Sequence, residues 1–500
     1  MPQWLAWIVL FLTIATLGLL LPMALHRSFL LLLARRERPE RERWKGPLPR
    51  VTVQLPVYNE AGVIERLVDA AASLDYPKDL LDIQLLDDST DETTELGRRR
   101  AEFWRERGVR IEQLRRGSRI GFKAGALAHG LERARGEFIL ILDADFVPGP
   151  DLIHRLLGPL DDPGVGMVQA RWDHLNEDRS PLTRCQALLL DAHFFFEQGG
   201  RWAGGRFMSF NGTAGMWRRA ALEEAGGWSC DTLTEDLDAS YRAQMKGWRF
   251  VFRPAIGVPA ELPEEVRALE VQQKRWSQGG IETGRKLLPV LLRGPWPFAV
   301  KIEAVFHLFG HLAHPLTLLF ALLLLPSSLA WEALALDPAL PLDLLVFAGA
   351  TLSFLVFYCA AGRRRERPWI TLVPTALLTM ALGIGLTATV SGAVFRGIRG
   401  RGGDPFHRTP KRGTGTKRYS NPSRGADLAA KLILTAWMSA SAVVALRAGL
   451  YMALPFILLF GLGYGWLAFG ELRDRVRHLA SPERTRPESV RGELSTVASP

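Results

Sequence analysis

The sequence predicts two architectures in one chain: an α/β domain with a parallel sheet in the first half, and an α-helical transmembrane bundle set around it. Three observations predict this. Strands alternate with helices of ten to fifteen residues over 51–148, the pattern of βαβ units. Apolar runs, each near the roughly 20 residues needed to cross a bilayer, occur at 4–25, 298–325, 342–361, 369–394, 428–446 and 451–469. Charged residues crowd the first half, and the remaining arginines and lysines cluster at 35–50, 363–367, 396–424 and 473–486, each beside an apolar run.

At 500 residues the chain is too long for one ordinary domain. Its net charge of +10 is compatible with nucleic acid, phosphate-bearing substrates or a membrane surface. The position of the basic clusters favours the membrane, and no nucleic-acid partner is expected. Cys185, Cys230 and Cys359 lack metal-ligand spacing and fit a reducing, cytoplasmic catalytic part rather than a disulfide framework. The first apolar run has no small-residue cleavage site and continues into 29–34, so it is expected to remain as an anchor.

Taken in order, VTVQLPVYNE at 51–60 is a strand, a polar turn and the entry to a helix over 61–74. DIQLLDDSTD is a second strand ending in Asp87 and Asp88, after which 89–91 open a charged helix. VRIEQLRR and the glycine-bounded GFKAGAL lead to FILILDADFVP at 138–148, whose five leading apolar residues suit a buried parallel strand. That strand stops at Asp143 and Asp145. In open α/β sheets ligands sit beyond the carboxyl ends of the strands, and Asp-x-Asp there can hold a divalent cation while leaving positions for substrate phosphates. The Asp87–Asp88 pair falls on the same sheet edge, and Lys123 lies in a loop between the two pairs. Alone, each has a plain alternative: a turn or cap for the acids, a solvated surface for the lysine.

The next stretch holds a strand, VGMVQARW, a helix over 182–198, and FNGTAGMWRRAALEEAGGW, a glycine-rich turn leading into a helix. TLTEDLDASYRAQMKGW places Thr234 at a helix start with Glu235 and Asp236 in the first turn, where simple capping is the alternative to chemistry. QQKRWSQ at 272–278 rides on a helix from 264.

In this order and spacing the motifs resemble those of processive, membrane-embedded family-2 inverting glycosyltransferases, similar to cellulose, chitin and hyaluronan synthases. The set is D-D at Asp87–Asp88, D-x-D at Asp143–Asp145, T-E-D at Thr234–Asp236 and Q-Q-x-R-W at Gln272, Gln273, Arg275 and Trp276. The wording LDDSTDET, GFKAGAL, NGTAG and QQKRWSQGG is closest to cellulose-synthase-like mannan and glucomannan synthases. PFHRTPKRG at 405–413 resembles the gating loop of cellulose synthases, with Phe406, Thr409 and Lys411 in matching places and Arg408 where a small apolar residue is usual.

The resemblance implies a GT-A-like (Rossmann-type) α/β domain and a set of roles. Asp236, with Glu235 beside it, is the catalytic pair, Asp236 being the base that deprotonates the acceptor hydroxyl. Asp87, Asp88, Lys123, Asp143, Gln272, Gln273 and Arg275 bind the nucleotide sugar. Asp143 and Asp145 hold Mg²⁺ or Mn²⁺, which offsets charge on the leaving diphosphate. Arg275 meets phosphate with its fork of donors, and Trp276 with Asn211, Gly212 and Thr213 receives the acceptor.

The expected domains are an anchor (1–34), a basic linker (35–50), the GT-A domain (51–288), transmembrane and interfacial helices (289–470) carrying a cytosolic gating-like loop (396–425), and a disordered cytosolic tail (471–500). No cyclic-dinucleotide-binding domain is expected in that tail. Strict alternation of six spans would put the basic clusters 363–367 and 396–424 on opposite faces. Treating 369–394 as an interfacial or re-entrant element puts all of them inside and leaves 326–341, which has no lysine or arginine, outside. The expected product is a β-glycan extended from GDP-mannose or UDP-glucose and passed through the protein's own helices in the plasma or inner membrane, with the catalytic domain cytoplasmic. The alternatives are transfer to a membrane lipid or, outside enzymes, a transporter or scaffold.

Overall fold

The structure is a computed structural model that describes residues 1–36, 43–336, 342–400 and 425–480. Seven strands form one sheet: β1 (Val51–Val57), β2 (Leu81–Asp87), β3 (Arg110–Leu114), β4 (Phe138–Ile141), β5 (Val165–His174), β6 (Gly215–Arg218) and β7 (Arg249–Ala260). Their spatial order is β3-β2-β1-β4-β6-β5-β7. The helices are α1 (Gln3–Leu33), α2 (Ile64–Ala72), α3 (Thr93–Arg105), α4 (Phe122–Arg133), α5 (Leu152–Leu160), α6 (Pro181–Ala192), α7 (Gly199–Ala203), α8 (Arg219–Glu224), α9 (Glu235–Met245), α10 (Val266–Arg293), α11 (Phe298–Phe309), α12 (Ala313–Leu334), α13 (Leu342–Arg364), α14 (Trp369–Arg399), α15 (Gly425–Arg447) and α16 (Leu454–Ala480).

The sheet is mixed, not wholly parallel as expected. β1, β2, β3 and β4 are parallel to their neighbours within that group, whereas β6 runs antiparallel between β4 and β5. Only four residues long and following NGTA, β6 looks in sequence like the end of a turn. β7 also carried no strand signal, because Pro254, Gly257 and Pro259 interrupt it. It is an edge strand with a bulge opposite Ala170 and Arg171, the setting in which proline is tolerated. Strands β1 and β4 are buried on both faces, which explains their continuous apolar runs. One apolar layer joins the sheet to α2, α3 and α5; the opposite layer centres on fully buried Trp217, edge-on to Phe250 with ring centroids 5.1 Å apart.

Among the described residues five helical segments are long and apolar enough to cross a membrane: Gln3–Leu33, Phe298–Leu334, Trp369–Arg399, Gly425–Arg447 and Tyr451–Arg477. The α/β half docks onto them closely. A Cβ on Gly200 of α7 would lie 2.4 Å from the Leu30 carbonyl of α1, so only glycine permits that approach.

α14 corrects one expectation: the helix is unbroken for 31 residues, which excludes a re-entrant chain reversal. Pro374 does not break it, because at the sixth helical residue its missing N–H costs only one early hydrogen bond. Both ends of α14 nevertheless touch the α/β half. The Thr375 carbonyl accepts from Cys185 of α6, the Gly397 carbonyl accepts from Arg285 of α10 at 3.1 Å, and Arg396 donates to Gln278 of α10. From Thr375 to Gly397 is about 33 Å of helix at 1.5 Å per residue, so α14 runs along the domain's face rather than away from it. The turn before α14 is tied down too, with Arg365 2.6 Å from Asp173 and Arg367 2.7 Å from Glu177.

Candidate active site

β1 is flanked by β2 on one side and β4 on the other, so the chain leaves it in both directions and a crevice opens at the strands' carboxyl ends. Residues just beyond β1, β2 and β4 line it: Tyr58 and Glu60, then Asp88, then Asp143 and Asp145. The far wall comes from the Asn211–Gly212 turn, the start of α9 with Glu235 and Asp236, and one face of α10 with Gln272, Arg275 and Trp276. Motifs spread over nearly two hundred residues therefore meet in one cleft.

Lys123, on the first turn of α4, is the hub of its acidic side. Its ammonium lies 2.6 Å from Asp143 Oδ1 and 3.9 Å from Glu235 Oε1, and donates to the Gly212 carbonyl at 2.9 Å. Burial opposes its charge, but Asp143 and Glu235 more than compensate and raise its pKa. The Asp143 backbone is held as well, its N–H donating to Thr213 Oγ at 2.8 Å.

Asp236 has the opposite environment. Burial, then the neighbouring Glu235 carboxylate, push its carboxyl up to about 7, with Lys123 and the Leu237 N–H pulling the other way. Gly212, with φ of 80°, closes over it: a Cβ there would stand 2.9 Å from Asp236 Oδ2. Two acids in one cleft thus differ in surroundings, Asp143 held against the Lys123 ammonium and Asp236 a carboxyl poised to titrate near neutrality.

At the other end Asp88 accepts a two-pronged bond from Arg116, whose guanidinium also donates to the Ile120 and Phe122 carbonyls. The Arg119 guanidinium lies over the Tyr58 ring, 3.3 Å from its centroid. Asn211 accepts from Gln198 and packs its amide 3.2 Å from His193. Trp276 faces Trp172 of β5, ring centroids 6.3 Å apart.

Three expected residues do not reach the cleft. Asp87 is buried, accepting from the Ser89 N–H and the Gln113 amide, because the last residue of β2 points back into the domain. Gln273 sits on the next helical position from Gln272, turned about 100° away by the α-helical repeat, and is buried. Thr213 is fully buried and supports Asp143 instead of facing an acceptor. Phe406, Thr409 and Lys411 lie outside the described residues. Unanticipated contributors are Arg116, Arg119, Tyr58, Glu60 and Trp172; Tyr58 and Glu60 were findable, since they follow a strand end on the same sheet edge as Asp88.

Asp143 and Asp145 fit a hard divalent cation: both are carboxylates on one cleft wall, and Asp143 is partly exposed while already paired with a cation. A second acidic group, His174, Glu177 and Asp191, has ligand atoms within 4.8 Å of one another. Arg367, however, lies 2.7 Å from Glu177 and 3.0 Å from Asp191, so that cluster is the ion-paired joint to the α13–α14 turn.

The class these features define is a GT-A-type glycosyltransferase domain carried on a helical bundle. Residues 49–279 match the "Glycosyltransferase like family 2" model. The chain is 37% identical over 327 residues to a probable glucomannan 4-beta-mannosyltransferase of Arabidopsis thaliana, covering 62% of this chain and 59% of that protein. It is 33% identical over 393 residues to a counterpart from Oryza sativa subsp. japonica, covering 73% of this chain and 75% of the relative. Its fold is shared with a mannosyltransferase from Pyrobaculum calidifontis in complex with GDP-Man and Mn²⁺, with a TM-score of 0.53, 24% identity, and coverage of 79% of this chain and 99% of that one. The chain spans under two thirds of the first two curated relatives it matches, 59% and 54%. This chain belongs to the family-2 glycosyltransferases, in the group that resembles the cellulose-synthase-like mannan synthases.

Proposed function

We propose that this protein is a processive β-glycosyltransferase that transfers a hexose, mannose from GDP-mannose before glucose from UDP-glucose, to a growing polysaccharide and passes the product through its own helices. The observation that carries this reading is the facing arrangement of Asp236, poised near pH 7, and the Asp143, Asp145 and Lys123 cluster, in a cleft closed by Arg275 and Trp276. Asp236 takes the proton from the acceptor hydroxyl as its oxygen attacks the anomeric carbon, and the nucleoside diphosphate leaves from the opposite face. Asp143 and Asp145 would hold a divalent cation, which offsets charge on the leaving diphosphate. Arg275 is placed to bind the same phosphates, and Trp276 offers a flat face to the acceptor sugar. The mannosyltransferase names of the curated relatives favour mannose as the sugar transferred.

The catalytic domain is assigned to the cytoplasmic side and α14 to the membrane interface, supported by α14's contacts with the domain at both ends and by the basic clusters beside the apolar runs. Segment 401–424, which carries the gating-like motif of Phe406, Thr409 and Lys411, lies outside the described residues. The described helices on either side of it both bond to α10, Gly397 through Arg285 and Asp427 through Lys274 at 2.7 Å.

The test is to incubate membranes containing the protein with labelled GDP-mannose and UDP-glucose, with and without chelator, and to size the products. A long glycan from one donor, lost in chelator and restored by Mg²⁺ or Mn²⁺, is expected. A singly glycosylated lipid as the sole product would replace the polymerase reading with a lipid transferase.

A further inference from the structure

Asn211 lines the cleft one residue before Gly212, the glycine that closes over Asp236, and the two residues that hold its side chain come from a single turn of unusual helix. After α6 the chain widens into a π-helical turn, His193–Gln198, before it enters α7. Such turns bond residues five apart, are rare, and occur mostly singly and frequently at functional sites. In an α-helix residues five apart point about 140° away from each other. The π-helical turn instead brings its first and last residues, His193 and Gln198, to the same side, and both reach Asn211.

The hydrogen bonds around Asn211 leave each group one choice. Gln198 bonds to the Ser209 carbonyl at 2.6 Å, and a carbonyl only accepts, so Gln198 turns its amide nitrogen this way. The second hydrogen on that nitrogen goes to Asn211 Oδ1 at 2.5 Å. Asn211 must then face His193 with its own amide nitrogen, 3.2 Å from Nε2, so Nε2 accepts. The imidazole proton therefore sits on Nδ1, which donates to Glu197 Oε2 at 2.8 Å. Glu197 is held in turn by Arg27 of α1 at 3.1 Å, whose guanidinium lies over the Phe354 ring of α13. The Asn211 backbone is fixed as well, its N–H donating to Gln169 Oε1 at 3.0 Å. One amide hydrogen of Asn211 is left over: among the described residues it has no protein partner, and the side chain carrying it is half-buried in the cleft wall.

We propose that His193, oriented by Glu197, is a positioning residue for sugar transfer: it fixes the Asn211 amide so that the remaining N–H donates to a sugar oxygen bound beside Asp236. This rests on the glycosyltransferase reading and deepens it. His193 touches no substrate in this role and acts only through Asn211. With Gln198 alone the amide is tethered by its oxygen and can swing; with His193 accepting from its nitrogen it is held at both ends. A donor aimed in advance costs no reorientation during the reaction, which is what makes the second tether useful. Through Glu197 and Arg27 the same network ties this part of the cleft wall to the first apolar helix.

The experiment compares full-length wild type, His193→Leu, His193→Gln, Asn211→Ala and the double variant of Asn211→Ala with His193→Leu in reconstituted membranes. Each is given labelled GDP-mannose or UDP-glucose, whichever the wild type turns over, and kcat is read beside donor affinity measured by calorimetry in detergent. His193→Leu should lower kcat about fivefold, the effect of one net hydrogen bond, with donor affinity unchanged. His193→Gln, whose carboxamide oxygen can accept from Asn211, should recover the wild-type kcat. In the Asn211→Ala background His193→Leu should cost nothing further, because the group it positions is gone. An unchanged kcat in His193→Leu, a full fivefold loss in the Asn211→Ala background, or equal losses in the leucine and glutamine variants overturn the role. If His193→Leu does not fold, His193→Phe, which keeps a ring edge-on to Phe194 and removes the acceptor, enters the same cycle. The wild-type arm tests the underlying reading by itself: a wild type that transfers sugar from neither donor overturns both, whereas an active wild type with additive losses overturns the positioning role alone.

Discussion

Asp236 shows how a single side chain acquires its ionisation behaviour from its surroundings. Buried beside Glu235, it is raised from the ordinary carboxylate range to about 7. In the proposed role of base only its ionised form can accept the acceptor's proton, so turnover should fall as pH drops through about 7. Asp236→Asn should reduce the rate by about 10²–10⁴-fold while donor binding, measured by calorimetry, persists. Because the folded state favours the protonated carboxyl, ionisation weakens the fold as pH rises from the unfolded range toward 7, so the Asn variant should melt higher than wild type at pH 8 and no higher at pH 4. Gly212 makes a second residue-scale case. With φ of 80° and Asp236 Oδ2 2.9 Å from where a Cβ would be, Gly212→Ala should displace the base and lower kcat with less effect on donor affinity. Normal kcat in that variant would show that the turn gives way elsewhere.

At the scale of elements, α10 connects the chemistry to the bundle. One face carries Gln272, Arg275 and Trp276 into the cleft. Another is fastened to α15 and α16 through Lys431, fully buried, 2.5 Å from Glu270 and 2.7 Å from Glu471. Removing the lysine alone would strip buried Glu270 of its paired cation and leave buried Glu471 with Arg475, 2.7 Å away. Lys431→Met should therefore destabilise the protein by about 3–5 kcal/mol, while the triple change with Glu270→Gln and Glu471→Gln should recover most of it. Thermal melts in detergent read the difference, and equal stability of the single and triple variants would show that the charges do not interact as the distances imply. Nothing in the sequence pairs Glu270 with Lys431, 161 positions apart.

For the whole molecule, the disposition of the helices makes a topological prediction. In a background without cysteine, a cysteine at exposed Arg399, at the end of α14, should resist impermeant thiol reagents in intact cells. One at exposed Ala335, at the end of α12, should react. The reverse pattern would turn the catalytic domain to the opposite side of the membrane and α14 with it.

Local chemistry determined much of this protein before any fold was known. Strands β1, β2 and β4 were legible because burial on both faces demands unbroken apolar runs, and the apolar helices because a bilayer demands length. That Asp143, Asp145, Asp236, Arg275 and Trp276 belong to one cleft was legible because they stand at element ends or in spaced motifs. What only the tertiary structure decided depends on contacts between distant residues. β6 became an antiparallel strand because a gap between β4 and β5 was there to fill, and β7 tolerated its prolines because it lies at an edge. The direction of a side chain from its backbone turned Asp87 and Gln273 away from the cleft and Thr213 beneath Asp143. The pairing of Arg116 with Asp88, and the environment that lifts Asp236 toward neutrality, arise only when desolvation brings separate segments together; a sequence lists the charges, but the electrostatic energy depends on distance and burial, which the folded chain alone sets.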